Sequence, residues 1–185
     1  MKTITEAYKK QWEKMMFSFF NYLPTKYKAN REEWRVRKFI WNFKDGKNTV
    51  KAAKLVADKL TAMFGEDCKN IVFACIPASS ATKNEMRYKQ FSDEICKQTG
   101  CINAYNAITV EGERLAIHET AKGKDIKEVE VINLNKKFFK GKKVVLFDDV
   151  ITQGYSYARF ACAVEKLGAQ VLGGLFLGRT VLKEA

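Results

Sequence analysis

Two adjacent carboxylates stand between an apolar run and a short loop that contains a glycine. Residues 144–147 (Val-Val-Leu-Phe) are apolar throughout, and Asp148 and Asp149 follow them directly. A short continuous apolar run is typical of a strand that is buried on both faces. In parallel α/β sheets, ligands bind at the carboxyl ends of the strands, which is where these two acids would lie. Two carboxylates at that place suit the hydroxyls of a ribose or a hydrated magnesium ion.

The segment behind the acids has the composition of a phosphate site. Its residues are Thr152, Gln153, Gly154, Tyr155 and Ser156, which we call the glycine loop. Backbone N–H groups and the dipole at the start of a helix attract phosphate. A glycine lets the backbone approach a phosphate closely, and hydroxyls add hydrogen-bond donors. The acids and the loop together therefore predict a site for a sugar phosphate.

Other phosphate-binding motifs are absent from the sequence. Neither G-x-x-x-x-G-K-[ST] nor a G-x-G-x-x-G after a strand occurs. The two acids are adjacent, whereas an Asp-x-Asp phosphatase motif would separate them by one residue. One alternative stays open, namely a helix-capping loop that happens to follow two acids. We favour a ligand site, because paired acids at a buried edge are costly without a partner.

The surrounding elements predict a parallel sheet. Apolar runs at residues 71–76 and 171–177 resemble the run at 144–147, and residues 102–109 and 129–134 are weaker strand candidates. Helices are predicted at 84–99 and 155–167. Apolar strands that alternate with helices favour a parallel sheet with right-handed crossovers. Residues 111–127 show no clear period, so we expect a long mobile loop there.

The N-terminal third is predicted to be helical. Residues 5–22 show apolar side chains at helical spacing, among them Tyr8 and Trp12, and a second helix is expected at 32–44. Asn48 is the expected cap of a third helix that Gly65 ends. The aromatic residues would then form a buried helix face, with Trp12 and Trp34 in the core.

Basic charge is concentrated in this same third of the chain. Of 185 residues, 33 are Lys or Arg and 21 are Asp or Glu, for a net charge of +12. Residues 1–64 hold 15 of the basic and 6 of the acidic residues, together with all three tryptophans. Basic residues interleaved with aromatic ones also occur on nucleic-acid surfaces. Nucleic-acid contact therefore remains an alternative to a helical core with solvated lysines.

The cysteines and the hydropathy pattern indicate a cytoplasmic protein. The five cysteines show no C-x-x-C spacing, so neither a disulfide framework nor a zinc site is expected. No apolar run approaches the roughly 20 residues of a membrane-spanning helix. The first residues lack the apolar centre of a secretory signal.

Residues 148–156 (Asp-Asp-Val-Ile-Thr-Gln-Gly-Tyr-Ser) resemble a family motif. They are similar to the phosphoribosyl pyrophosphate (PRPP) loop of the type I phosphoribosyltransferases, in which two acids and two apolar residues precede Thr-Gly-x-Thr/Ser. The likeness extends to Lys140-Gly141-Lys142 and to residues 167–171. More weakly, it covers residues 35–180 in the pattern of the competence-type (ComF-like) members. There, Phe43-Lys44-Asp45-Gly46-Lys47 and Arg87-Tyr88-Lys89-Gln90 resemble family stretches.

The resemblance implies a fold and a reaction. The fold would be a parallel-sheet phosphoribosyltransferase core with helices on both faces, at 65–185, and an N-terminal helical hood at 1–64, in one compact domain. The reaction would be a magnesium-dependent transfer of the phosphoribosyl group of PRPP to a nitrogen acceptor, a nucleobase or an amine, with release of pyrophosphate. A homodimer is compatible with this class. The alternative is a non-catalytic PRPP- or nucleotide-binding module of the same fold that contacts nucleic acid.

The resemblance also implies roles for individual residues. Asp148 and Asp149 would be the catalytic pair that holds the ribose hydroxyls and meets the metal only through ribose or water, and the glycine loop would hold the 5′-phosphate. Pyrophosphate would bind the segment after the first core strand, through Ala78, Ser79, Ser80 and Lys83. Arg114 and His118 would belong to a mobile loop that closes over the leaving group.

The chain departs from the family pattern at three places. Gln153 replaces the usual Thr, so an amide N–H stands where a hydroxyl would contact the 5′-phosphate. Thr152 stands where purine-salvage members carry an Asp, which makes hypoxanthine or guanine a poor acceptor. In the stretch that resembles the family's Arg-Gly-Tyr-Asn-Gln, Arg87 lies one position away from the family's Arg, and Lys89 replaces the Asn.

Overall fold

A five-stranded parallel sheet forms the centre of the protein. The computed structural model describes residues 5–111 and 131–183. Within these residues the strand order is β1-β7-β6-β2-β3, and a separate antiparallel pair, β4-β5, stands beside this sheet. The strands are β1 (Met15–Tyr22), β2 (Ile71–Cys75), β3 (Ile102–Asn103), β4 (Ile108–Glu111), β5 (Val131–Leu134), β6 (Lys143–Ile151) and β7 (Gln170–Thr180).

Helices cover both faces of the sheet. On one face, Phe43, Leu60 and Phe91 pack against the inward side chains of β2 and β6. On the other face, Tyr157 and Val164 pack against the alternate side chains of the same strands. The helices are α1 (Glu6–Trp12), α2 (Arg31–Lys44), α3 (Thr49–Phe64), α4 (Ala81–Thr99), α5 (Lys136–Phe139) and α6 (Tyr155–Glu165). Because both faces are covered, the central strands are apolar over residues 71–75, 144–147 and 171–178, as the sequence predicts.

The predicted strands at 71–76, 144–147 and 171–177 and the helix at 32–44 are confirmed. β6 pairs in parallel with β2 on one side and with β7 on the other. α2 begins with a capping box, in which Asn30 and Glu33 satisfy each other's backbone N–H groups. The mixed α/β class with a central parallel sheet is therefore correct.

The predicted helix over residues 5–22 is wrong in its second half. α1 ends at Trp12, and Met15–Tyr22 form the edge strand β1, which pairs in parallel with β7 from Met15 opposite Gly173 to Tyr22 opposite Thr180. The run Met-Met-Phe-Ser-Phe-Phe-Asn-Tyr is rich in aromatic residues, which favour strands. Its apolar positions satisfy a helical spacing equally well, because nearly every position is apolar. Residues 15–22 thus belong to the central sheet and not to a helical hood.

Four smaller expectations are also corrected. The predicted strand at 102–109 is divided between β3 and β4 by a 3₁₀ turn, and β4 pairs with β5. α4 begins at Ala81 and not at residue 84, because Ser80 caps it. Asn48 precedes α3 but adopts a left-handed conformation (φ 58°) and makes no side-chain capping bond. The Trp34 side chain is 50% exposed and Trp12 is only partly buried, so these rings do not form a buried helix face.

All five cysteines lie in the described residues and are free thiols. Among the helices within residues 5–111 and 131–183, none has both the length and the apolar character needed to cross a bilayer.

Gly173 of β7 lies against the backbone of β1, and we expect Gly173→Ala to destabilise the protein. A Cβ at this position would lie 2.2 Å from the Met15 carbonyl oxygen. Backbone cannot yield as a side-chain tip does, so we expect a loss of about 3 kcal/mol, the upper end of ordinary overpacking. Urea unfolding measures it, with Gly100→Ala as the control, because nothing lies within 4 Å of a Cβ there and that alanine incurs only the left-handed penalty of about 1–2 kcal/mol. Equal stabilities of the two variants would contradict the placement of β1.

Candidate phosphate-binding site

The end of β6 projects beyond its neighbour β2. Pairing between the two strands stops at Cys75 opposite Phe147, and the Ile76 N–H donates the last bond to the Phe147 carbonyl (2.8 Å). β6 continues beside β7 as far as Ile151 opposite Arg179. Residues 148–151 are therefore paired with a strand on one side only. This is the carboxyl edge of the sheet, where the sequence predicts the site.

Asp148 and the glycine loop line one cavity. Its volume is about 200 Å³, and its lining residues are Asp148, Val150, Ile151, Thr152, Gln153, Gly154, Tyr155, Ser156, Tyr157 and Phe176. The structure thus brings together the first acid and all five residues of the glycine loop. The buried Tyr157 hydroxyl has no hydrogen-bond partner among the described residues. The cavity has the size and polarity for a phosphorylated sugar.

The glycine loop is shaped by a left-handed residue and by a hydrogen bond between the loop and the end of β7. Gly154 has φ 76° and precedes the first turn of α6, which no side chain caps. Its carbonyl accepts the first helical bond from the Ala158 N–H (2.9 Å). Thr152 shares a hydrogen bond of 2.7 Å between its hydroxyl and that of Thr180, at the end of β7. The loop therefore leads from the sheet edge into a helix N-terminus, the geometry that binds anions.

Trp12 contacts this loop, which the sequence does not indicate. Its indole Nε1 donates to the Gly154 carbonyl (3.1 Å), and its ring meets the Tyr155 ring edge-on with centroids 5.5 Å apart. A Cβ on Gly154 would lie 2.8 Å from the Trp12 Nε1 atom. The glycine is thus required by the left-handed backbone and by the indole. A sequence signal for this contact is lacking, since 142 residues separate the partners.

Gly154→Ala is expected to cost more stability than Gly100→Ala, although both residues have φ 76°. Each alanine would incur the left-handed penalty of about 1–2 kcal/mol. At Gly100 nothing lies within 4 Å of a Cβ, whereas at Gly154 the indole must move. We expect an additional loss of about 1–3 kcal/mol at Gly154. Denaturant midpoints of the two variants measure the difference, and equal midpoints would show that Trp12 does not crowd the loop.

The two acids of β6 serve opposite faces of the sheet. Neighbouring residues on a strand point to opposite sides, and Asp148 lines the cavity while Asp149 does not. Asp149, 9% exposed, pairs with Arg87 (2.6 Å) and with Lys44 (3.3 Å). Arg87 extends from α4 and also donates to the Lys44 carbonyl at 3.4 Å. Asp149 is therefore neutralised by the protein itself, a pairing that the adjacent acids alone do not reveal.

Asp148 forms no such ion pair with the described residues, and its acidity is perturbed. Burial, and then the charge of Asp149, raise the pKa of Asp148 from an ordinary 3.8 to about 8. The Asp149 N–H, which donates to Asp148 Oδ1 (2.8 Å), opposes the shift only in part. A carboxyl group with a raised pKa in a cavity is a candidate ligand-binding group, because a bound cation or hydroxyl would favour its charged form.

The segment predicted to bind pyrophosphate lies at the same edge of the sheet, after β2. The Ala78 N–H donates to the side-chain oxygen of the buried Asn84 (3.1 Å). Ser80 caps α4 by accepting from the Lys83 N–H (3.3 Å), so Lys83 lies in the first helical turn. Ser79 lies between these contacts. Of the described residues that line the 200 Å³ cavity, none comes from this segment.

The described residues include neither two of the predicted site residues nor a metal cluster. Arg114 and His118 lie outside the described residues. Within 5–111 and 131–183, no three His, Cys, Asp or Glu side chains gather closely enough to hold a metal ion. The site itself offers Asp148 as its cavity-lining carboxylate.

Comparisons with known proteins give likenesses in structure alone. No protein-family model matches the chain, and no curated protein sequence matches it. Its structure is similar to a PRPP synthetase from Mycobacterium smegmatis (14% identity, TM-score 0.39), over 68% of this chain and 33% of that one, so the chain spans a third of the synthetase. An adenine phosphoribosyltransferase from Thermoanaerobacter pseudethanolicus is 17% identical with a TM-score of 0.41, and the match covers 72% of this chain and 81% of that one. A purine phosphoribosyltransferase from Pyrococcus horikoshii is 16% identical with a TM-score of 0.36, and the match covers 89% of this chain and 95% of that one.

Proposed function

We propose that the protein binds PRPP and transfers its phosphoribosyl group to a nitrogen acceptor, with release of pyrophosphate. One observation carries this proposal: Asp148 and the glycine loop line a single cavity of about 200 Å³ at the carboxyl edge of β6. A helix N-terminus for a phosphate and a carboxylate for sugar hydroxyls suit the two ends of a ribose 5-phosphate. The acceptor would be a nucleobase or an amine.

In this proposal the two acids have different tasks. Asp148 binds the ribose hydroxyls and stabilises positive charge that develops at C1 as the bond to pyrophosphate breaks. Asp149 acts from the other face by holding Arg87 and Lys44 at the sheet edge. The glycine loop holds the 5′-phosphate, and the segment of Ala78, Ser79, Ser80 and Lys83 receives the pyrophosphate. Arg114 and His118 stay predictions for a covering loop.

The residues present fit a magnesium ion that arrives with its substrate. Magnesium in phosphate sites is held by one or two carboxylates, by water and by the phosphates themselves. Asp148 is such a carboxylate, and the described residues offer no complete cage of their own. A bound magnesium ion would neutralise the departing pyrophosphate. The protein's own share is to position the ribose and to stabilise charge at C1.

A second candidate function has its own supporting observation. Trp34 is 50% exposed, and its ring meets the Trp41 ring edge-on (centroids 5.8 Å apart) and the Arg37 guanidinium (5.3 Å). Arg31, Arg35 and Lys38 stand on the same helix, α2. An exposed aromatic ring among cations suits a base of single-stranded nucleic acid. This supports the alternative of a PRPP- or nucleotide-binding module that contacts nucleic acid.

Binding and turnover experiments separate the two functions. PRPP with magnesium should raise the melting temperature, and ribose 5-phosphate should do so more weakly. Pyrophosphate release with a panel of nucleobases and amines would then establish the transferase. If PRPP binds but no acceptor releases pyrophosphate, the binding module is favoured. In that case Trp34→Ala should weaken binding to single-stranded DNA, whose affinity should fall steeply with salt. No stabilisation by any of these ligands would refute both.

A further inference from the structure

We propose that Trp12 is a positioning residue of the glycine loop: its indole fixes the peptide that begins α6 in the orientation that a phosphate requires. The inference rests on the proposed function of this loop, but it concerns a residue outside the resembling stretch. Trp12 ends α1 and lies 142 residues from Gly154. It touches the loop from the side of α1 and is absent from the residues that line the cavity. Its action on a ligand would therefore be indirect.

The Gly154 carbonyl is held by two donors. Trp12 Nε1 approaches it at 3.1 Å and the Ala158 N–H at 2.9 Å, so both lone pairs of the oxygen are used. The peptide between Gly154 and Tyr155 is planar and trans, with its N–H pointing opposite to its carbonyl. Two bonds on the carbonyl therefore also fix the direction of the Tyr155 N–H, which points away from the helix body. That direction is the one in which helix N-termini present donors to anions.

A glycine at this position needs such support. Glycine has access to more backbone conformations than any other residue, so it restrains a loop least. No capping side chain restrains the start of α6 either. The indole occupies the space that a Cβ of residue 154 would need and packs edge-on against the Tyr155 ring. The Trp12 side chain thus restrains the loop through the Gly154 carbonyl, whereas a capping side chain would do so by accepting from the backbone N–H groups. A restrained loop binds its ligand with a smaller loss of conformational entropy.

The residues on either side of Trp12 are held by polar contacts to Glu165 of α6. The Gln11 amide donates to Glu165 Oε2 (2.6 Å), and Lys14 Nζ pairs with Glu165 Oε1 (2.5 Å). Glu165 Oε1 also accepts from the Val171 N–H (3.1 Å) at the start of β7. These bonds tie α1 to α6 and to the sheet on both sides of Trp12. These contacts explain how a residue at the end of a seven-residue helix can hold a loop in place.

Trp12→Phe tests the inference because it keeps an aromatic ring and removes the N–H donor. We expect the Kd for ribose 5-phosphate to rise at least about fivefold, the typical value of one hydrogen bond. Trp41→Phe is the matched control, since it removes an indole donor to the Tyr22 hydroxyl (3.2 Å) away from the loop. Its Kd should stay within about twofold of wild type. Both variants are measured well below their melting temperatures, so that a loss of stability does not enter the Kd.

Two further readouts separate positioning from simple packing. In ligand-free Trp12→Phe, amide hydrogen exchange should accelerate at 152–156 but not in β2, which a uniform loss of stability would not produce. In Trp34→Phe/Trp41→Phe, whose tryptophan emission comes from Trp12 alone, ribose 5-phosphate should change that emission. The inference is overturned if Trp12→Phe binds ribose 5-phosphate with the wild-type Kd and its amide exchange at 152–156 is unchanged. The phosphate site itself would still stand in that case. If the wild type binds neither ribose 5-phosphate nor PRPP, the proposed function itself fails, and the inference fails with it.

Discussion

Arg87→Met is expected to destabilise the protein by about 3 kcal/mol. Removing one partner of a buried ion pair leaves an uncompensated charge, which typically costs about 3–5 kcal/mol. The side chains of Arg87 and Asp149 are 15% and 9% exposed, so water screens them little. We expect the lower end of the range, because Lys44 remains 3.3 Å from Asp149. Urea unfolding at neutral pH measures the loss.

A double-mutant cycle identifies the origin of this loss. Arg87→Met combined with Asp149→Asn removes both charges and should recover a large part of the stability. Arg35→Met is the control, because the pair of Arg35 and Glu32 is exposed at both ends and such pairs contribute little. If Arg87→Met is as harmless as Arg35→Met, or if the double variant is no more stable than Arg87→Met alone, the ion pair does not hold the edge of the sheet.

Asp148→Asn is expected to weaken PRPP binding about 10- to 100-fold while it stabilises the ligand-free protein. Hydrogen bonds that a charged group accepts are worth about 1.5–3 kcal/mol each, which sets the expected loss of affinity. Stability should rise at neutral pH, because the charged form of Asp148 is disfavoured by burial and by Asp149. Calorimetric titration with PRPP and magnesium, together with denaturant unfolding, measures both effects on the same variant.

The gain in stability should depend on pH in a defined direction. The pKa of Asp148 is raised from 3.8 to about 8, so between these values the native state retains a proton that the unfolded chain has lost. The wild type therefore loses stability from this group as the pH rises from about 4 to about 8. Asp148→Asn lacks the group, so its advantage should be absent near pH 4 and largest above pH 8. A gain that is equal at all pH values would exclude this cause.

The two acids must be tested one at a time. From the sequence, removal of both should relieve repulsion and leave stability unchanged or higher. The structure corrects this expectation for Asp149, since Asp149→Asn leaves Arg87 and Lys44 without their carboxylate. Asp148→Asn should therefore raise the stability of the ligand-free protein, and Asp149→Asn should lower it.

Local patterns were sufficient for the elements that lie around the site. The strand at 144–147, the acids behind it and the glycine that opens a helix follow one another along the chain, and each pattern extends over a few residues. Burial on both faces leaves no polar position within residues 71–75, 144–147 and 171–178, so the assignment of β2, β6 and β7 had few competitors. The shared cavity of Asp148 and the glycine loop follows from the same continuity.

The partners of these residues were decided by the tertiary structure. Met15–Tyr22 satisfies both a helix and a strand pattern, and only the edge of β7 selects the strand. That Asp149 meets Arg87 and Lys44, while Asp148 meets a cavity, depends on how α2 and α4 cross the sheet. Trp12 reaches Gly154 because α1 packs on α6. Sequence alone determined which residues stand at the edge of the sheet, because that depends on neighbours along the chain. Their charge state and their restraint depend on side chains from distant segments, which come into contact only when the chain folds.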